Sequence, residues 1–142
     1  MNSTDLFLQK GKEVLASQPF SLTLGTELTQ LSAGQCELQI PITKALLQQH
    51  GFVHGGVLSY AADNALTFAG GSALQLPVVT SEFKINYVRP ALGQVLIARA
   101  TAVHVGKSQA VCRCDVFTRQ DGAEKLCAVA QGTIAVLSGN AP

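Results

Sequence analysis

The sequence predicts an α+β fold in which an antiparallel sheet of about six strands wraps round one long central helix. Two observations carry this. Residues 55 to 72, GGVLSYAADNALTFAGGS, place Val57, Leu58, Ala61, Ala65, Leu66 and Phe68 nearly all round a helical axis, with Asp63 as the single charge. A helix that is apolar on every side is a buried helix. After Leu76-Pro77 the chain turns to period-two alternation, punctuated by turn residues, up to its C-terminus.

Taken in order, residues 1–19 form an N-terminal helical segment. Within it, 4–17 reads as an amphipathic helix capped by Ser3 or Thr4, with Leu6, Leu8, Val14 and Leu15 as a loose apolar face and Pro19 after its end. Residues 20–42 read as two strands joined at Ser32-Ala33-Gly34, and 44–50 as an irregular or one-turn lead-in. The central helix, about 55–72, spans roughly 25 Å at 1.5 Å per residue. Four strands follow, at 81–89, 94–105, 109–118 and 125–137, separated by Pro90 and Gly93, Gly106-Lys107 and Gln120-Asp121-Gly122. The last residues, 138–142, are expected to fray. Without repeats or a linker, 1–142 reads as one domain.

The chain is 47% hydrophobic and 13% charged, which excludes a disordered chain or an extended coiled coil. So few charges predict that another copy of the chain covers part of the surface. A net charge of +1, with basic residues scattered singly, leaves no footprint for nucleic acid or an anionic membrane. No run of about 18 apolar residues offers a membrane span. The N-terminus is polar and acidic where a secretory leader needs a basic end and an apolar run. Cys36, Cys112, Cys114 and Cys127 lie in strand-like runs without a CxxC pair, which fits small core residues in a reducing, cytoplasmic setting.

The chemistry gathers around HGFVHGG, residues 50–56. Gly55 and Gly56 at a helix start bare backbone N–H groups that suit a carbonyl oxygen gaining negative charge. Alternatively they only let a turn pass close to a neighbour. Asp63 is a carboxylate on a buried-looking helix, costly to desolvate unless it is paired or used, and no basic residue lies within two turns of it. His50 and His54 stand four apart, a metal-binding spacing on a helix, but the glycines make this a loop and a third ligand is lacking, so no metal is expected. Gln48 is a polar amide just upstream. Gly106-Lys107-Ser108 is no phosphate loop, because Thr101 stands where that motif needs glycine. Gly55 and Asp63, eight residues apart, are separated by about 12 Å on one helix. If both act on one substrate, they must come from two antiparallel chains.

Gln48-x-x-Gly51-x-x-His54-Gly55-Gly56 followed by Asp63 resembles the active-site segment of hotdog-fold acyl-CoA thioesterases of the phenylacetate-pathway type. Val79-Thr80-Ser81, the stretch Asn86-Tyr87-Val88-Arg89-Pro90 and the Gly106-Lys107 turn extend the likeness. The resemblance implies a hotdog fold, a homodimer with sites at its interface and often a homotetramer, and thioester hydrolysis without metal or bound cofactor, coenzyme A being part of the substrate. It implies Asp63 as nucleophile or general base, the Gly55 N–H polarising the carbonyl, His54 and Gln48 orienting the thioester and water, and Thr80 or Ser81 supplying a hydroxyl. For the acyl-CoA itself it leaves Gly56, Phe52, Tyr60, Asn64, Arg89 and Lys107 as binding candidates, the two cations facing the coenzyme A phosphates. Each apolar candidate fits an ordinary core position equally well. Many members of this type carry asparagine at Gln48; glutamine there is similar to the thioesterases of menaquinone synthesis. A non-catalytic acyl-CoA sensor and a hotdog dehydratase are the alternatives.

Overall fold

The computed structural model describes residues 2–138. Helices α1 (Ser3–Ala16) and α2 (Pro19–Leu24) precede strands β1 (Glu27–Ser32) and β2 (Gln35–Pro41). A 3-10 turn at Lys44–Leu46 leads to the central helix α3 (Gly55–Leu74). Strands β3 (Val78–Tyr87), β4 (Val95–Val105), β5 (Gln109–Gln120) and β6 (Ala123–Val136) complete the chain. The six strands form one sheet in the order β1-β2-β4-β5-β6-β3, every neighbouring pair antiparallel.

The central helix packs on one face of this sheet because small residues let it come close. Ala61, Ala62, Ala65, Leu66 and Ala69 are each at most 1% exposed. On β5 the alternation expected of a half-buried strand is complete: Ala110, Cys112, Cys114, Val116 and Thr118 are buried, while Arg113 and Asp115 are exposed. The four cysteines are free and buried. At Gly70 the approach is closest, since a Cβ there would stand 2.6 Å from Ile134 Cβ.

Three local expectations are corrected. Residues 20–24 form α2 and not the start of a strand. Pro19 presets the first turn, Gly25 closes it at φ 74°, and Ser21 is buried against Gln18 and Tyr60. The alternation of Leu22 and Leu24 imitates a strand, yet Leu22 is largely exposed. The helix α1 is capped by Asn2, whose Oδ1 accepts from the Asp5 N–H at 2.9 Å, and not by Ser3 or Thr4. Strand β3 starts at Val78, three residues before the expected 81, and ends at Tyr87, ahead of Pro90. Of the tail expected to fray, 139–142 lie outside the described residues.

Gly70→Ala is expected to lower stability by about 1–3 kcal/mol through overpacking against β6. Urea unfolding of the purified variant checks this, and an unchanged midpoint would mean that α3 and β6 are less tightly apposed.

Candidate active site

The loop before α3 is shaped by its own backbone. Gln48 N–H donates to Phe52 O at 2.8 Å, Gly51 N–H to Gln48 O at 3.0 Å, and His54 N–H to Leu46 O at 2.8 Å. Val53 N–H donates to Ala91 O at 3.0 Å, which ties the loop to the segment after β3. Gln48 Oε1 accepts from the His50 N–H, so the amide NH2 is the free half of that side chain among the described residues. His50 itself is exposed.

His54 is the N-cap of α3, and its Nδ1 accepts from the Gly56 N–H at 2.8 Å. This places the imidazole proton on Nε2. A Cβ at Gly56 would stand 2.9 Å from that Nδ1, so the missing side chain lets the ring fold back over the helix start. His54 O accepts from the Val57 N–H at 2.9 Å. Of the first three helical N–H groups only that of Gly55 meets no acceptor among the described residues. It borders a cleft of about 380 Å³ lined by Gln48, Phe52, Leu58, Tyr87 and Arg89 among others. The Tyr87 hydroxyl donates to Gly55 O at 3.0 Å and lies 2.6 Å from Ser59 Oγ.

Asp63 lies two turns further on. Its Oδ1 accepts from Thr80 Oγ1 at 2.5 Å, and Thr67 Oγ1 stands 3.0 Å from Thr80 Oγ1 while donating to Asp63 O at 2.8 Å. The enclosure expected for Asp63 is incomplete: the residue is half-buried. That flank of α3 faces β3, the last strand of the sheet, so nothing lies beyond it to complete the cover. No cation pairs with Asp63 among the described residues; Arg99 and Arg119 are held by Glu37 and Glu124. Between the two hydroxyls expected near the carboxylate, Thr80 is the one that reaches it. Ser81 sits in the β-bulge between Thr80 and Glu82, exposed.

The remaining candidates divide by place. Phe52 and Arg89 line the Gly55 cleft and a second, adjoining cleft of about 460 Å³ that also receives Lys125. Lys107 lies in the β4–β5 turn beside Val136, at the end of the sheet where β3 begins. Tyr60 and Asn64 are engaged with α2 and do not line the Gly55 cleft. Tyr60 Oη lies 2.6 Å from Ser21 Oγ and 2.9 Å from Thr26 Oγ1, and Asn64 Nδ2 donates to Gln18 Oε1 at 3.1 Å. Thr67, Tyr87 and Ser59 were not singled out from the sequence. Thr67 was within reach of such reasoning, being four residues from Asp63 on one helix face; the reach of Tyr87 depends on the tertiary fold.

Burial pushes the Cys112 thiol up to about 11 and, together with the charge of Asp115, the Cys114 thiol up to about 12. Both are therefore protonated near neutrality and offer no thiolate nucleophile. Among the described residues no group of three His, Cys, Asp or Glu side chains is placed to hold a metal ion, and no helix is long and apolar enough to cross a membrane.

Six antiparallel strands packed on one long helix make a hotdog fold, and that helix carries a free N–H at its start and, two turns on, a carboxylate that accepts from Thr80. The thioesterase superfamily profile (4HBT) matches residues 50–125. The acyl-coenzyme A thioesterase PaaI of Escherichia coli is 31% identical over 98 residues, covering 68% of this chain and 69% of that one. The 1,4-dihydroxy-2-naphthoyl-CoA hydrolase of Listeria monocytogenes is 29% identical over 116 residues, covering 80% of this chain and 92% of that one. The crystal structure of a thioesterase family protein from Silicibacter pomeroyi superposes with a TM-score of 0.87 at 35% identity, covering 94% and 99% of the two chains. The chain belongs to the thioesterase superfamily and is a thioester hydrolase with the PaaI-like hotdog fold.

Thr80→Val removes the donor to Asp63 while keeping the shape of the side chain. A hydrogen bond to a charged group is worth about 1.5–3 kcal/mol, so thioester hydrolysis should fall roughly 10- to 100-fold. Steady-state kinetics on a folded variant check this; unchanged kcat would mean that the carboxylate needs no threonine to hold it.

Proposed function

We propose that the protein hydrolyses an aryl- or medium-chain acyl-CoA to the free acid and coenzyme A, at sites shared between two copies of the chain. The observation that carries this is the pairing, on one rigid helix, of a free N–H at Gly55 with a threonine-held carboxylate at Asp63, about 12 Å away. That gap is too long for one thioester carbonyl to meet both groups of one chain. Two copies related by a two-fold axis bring Gly55 of each near Asp63 of the other, twice per dimer. Strand β3 supports this arrangement, because it is a ten-residue edge strand with one ladder unpaired and Val79 and Tyr87 half exposed.

In this reading the Gly55 N–H and the dipole of α3 bind the thioester oxygen as it gains charge. Asp63 of the second copy attacks the carbonyl carbon itself or takes a proton from the attacking water. The C–S bond then breaks, and the thiolate of coenzyme A leaves and takes up a proton. On the water route the acyl group departs as a carboxylate; on the direct route an acyl–Asp63 anhydride forms, and water opens it to release the carboxylate and restore Asp63. The Nε2–H of His54 and the free amide of Gln48 flank the Gly55 donor and orient the thioester and the water. Arg89 and Lys125, facing the adjoining cleft, suit the phosphates of coenzyme A, and Lys107 of the second copy is the further cation for them. Thr67 also borders a mainly apolar groove of about 640 Å³ between α1 and α3, walled by Phe7, Val14, Phe68 and Val78, which suits the acyl group. The reaction uses no metal and no bound cofactor.

Release of coenzyme A from a panel of aryl and aliphatic acyl-CoAs tests the reading. Asp63→Asn and Asp63→Ala should each lower kcat by about 10²- to 10⁴-fold with the oligomer intact. Wild-type protein that binds acyl-CoA yet releases no coenzyme A from any of them would point instead to a sensor.

A further inference from the structure

We propose that the Tyr87 hydroxyl, together with His54 Nδ1, acts as a clamp that aims the Gly55 N–H. The inference rests on the reading of that N–H as the donor to the thioester oxygen. Two consecutive glycines leave the start of α3 with no side chain to restrict its backbone. A donor that stabilises developing charge works only if it is already in place when the charge appears. The Gly55 N–H sits on the peptide unit joining His54 to Gly55, whose carbonyl oxygen accepts from the Val57 N–H at 2.9 Å. The next unit, joining Gly55 to Gly56, shares the Gly55 Cα with it and is gripped at both ends by side chains, which fixes the backbone torsions of Gly55 on which the direction of the donor depends. Its carbonyl oxygen, Gly55 O, accepts from Tyr87 Oη at 3.0 Å. Its N–H, that of Gly56, donates to His54 Nδ1 at 2.8 Å.

Proton counting assigns the third contact. The Tyr87 hydroxyl has one proton and gives it to Gly55 O, so across the 2.6 Å contact Ser59 Oγ is the donor. Tyr87 thus spans the first turn of α3, from Gly55 to Ser59. Its ring lies 3.4 Å from where a Cβ at Gly55 would stand, an ordinary packing distance, so the ring lies directly over the helix start. Tyr87 is 53% exposed and closes β3, where its backbone pairs with Ala128. With so much of the residue exposed, the hydroxyl bonds hold the ring against α3 and tie the sheet edge to the helix start. Tyr87 is a positioning residue here: it acts on the donor through the backbone and not on the reacting atoms.

Tyr87→Phe keeps the ring and deletes the clamp. We expect kcat to fall about tenfold at an unchanged KM, the loss of one well-made hydrogen bond. Backbone 15N relaxation of the same variant should show the Gly55 and Gly56 amides gaining ps–ns mobility while the rest of α3 does not. Ser59→Ala, which leaves the Tyr87–Gly55 bond in place, should show a smaller change in the same direction. Unchanged kcat with unchanged amide order would overturn the clamp, and so would a rise in KM alone, which would make Tyr87 a substrate contact. If the wild type hydrolyses no thioester, the thioesterase reading fails, and the amide mobility still decides whether the clamp exists.

Discussion

The rigidity of α3 governs the rest of the molecule. Twenty residues of continuous helix, packed through alanines against a six-stranded sheet, hold the Gly55 N–H and the Asp63 carboxylate at a separation that local motion cannot close. Catalysis of thioester hydrolysis by these groups requires near contact with one carbonyl. The packing that stabilises the monomer thereby leaves the proposed site incomplete within it, which is why the proposed mechanism assigns part of the chemistry to a second copy.

Strand β3 is where both halves of the site are tuned. Near its start Thr80 donates to Asp63, and at its end Tyr87 donates to Gly55 O. The bulge after Thr80 skips Ser81 in the register, so Glu82 pairs with Thr133 next to the Thr80–Ile134 pair. One strand thus supplies a hydroxyl to each helix position that matters, and its free ladder offers the surface on which a second β3 would pair. Among the described residues no salt bridge reaches Asp63; those present join Glu37, Arg99, Glu124 and Arg119. An unpaired carboxylate with one fixed hydrogen bond keeps lone pairs available for water or a carbonyl carbon.

Much of this was legible in the sequence, for identifiable reasons. The central helix, expected at about 55–72 and found at Gly55–Leu74, follows from apolar residues on every side, and β5 follows from a clean period of two. The separation of Gly55 from Asp63 is plain arithmetic on helical rise. What escaped depends on neighbours that are distant in sequence. Residues 20–24 alternate like a strand, yet Pro19 starts and Gly25 ends a short helix there, with Ser21 buried against Gln18 and the distant Tyr60. Tyr60 and Asn64, binding candidates beside the resemblance, have their polar atoms engaged by α2, which packs on their side of the helix. The Tyr87 clamp needed the pairing of β3 with β6, which no local pattern encodes.

The shared site can be tested with two inactive chains. Gly55→Pro deletes the N–H at a first-turn position that tolerates proline, and Asp63→Asn removes the carboxylate. Each variant alone should be inactive. Copurified after joint refolding, mixed dimers hold one site with both defects and one with none, so equal mixing should restore about a quarter of wild-type activity. Recovery at that level would place the two groups on different chains; a mixture as inactive as its components, with mixed dimers present, would contradict the shared site.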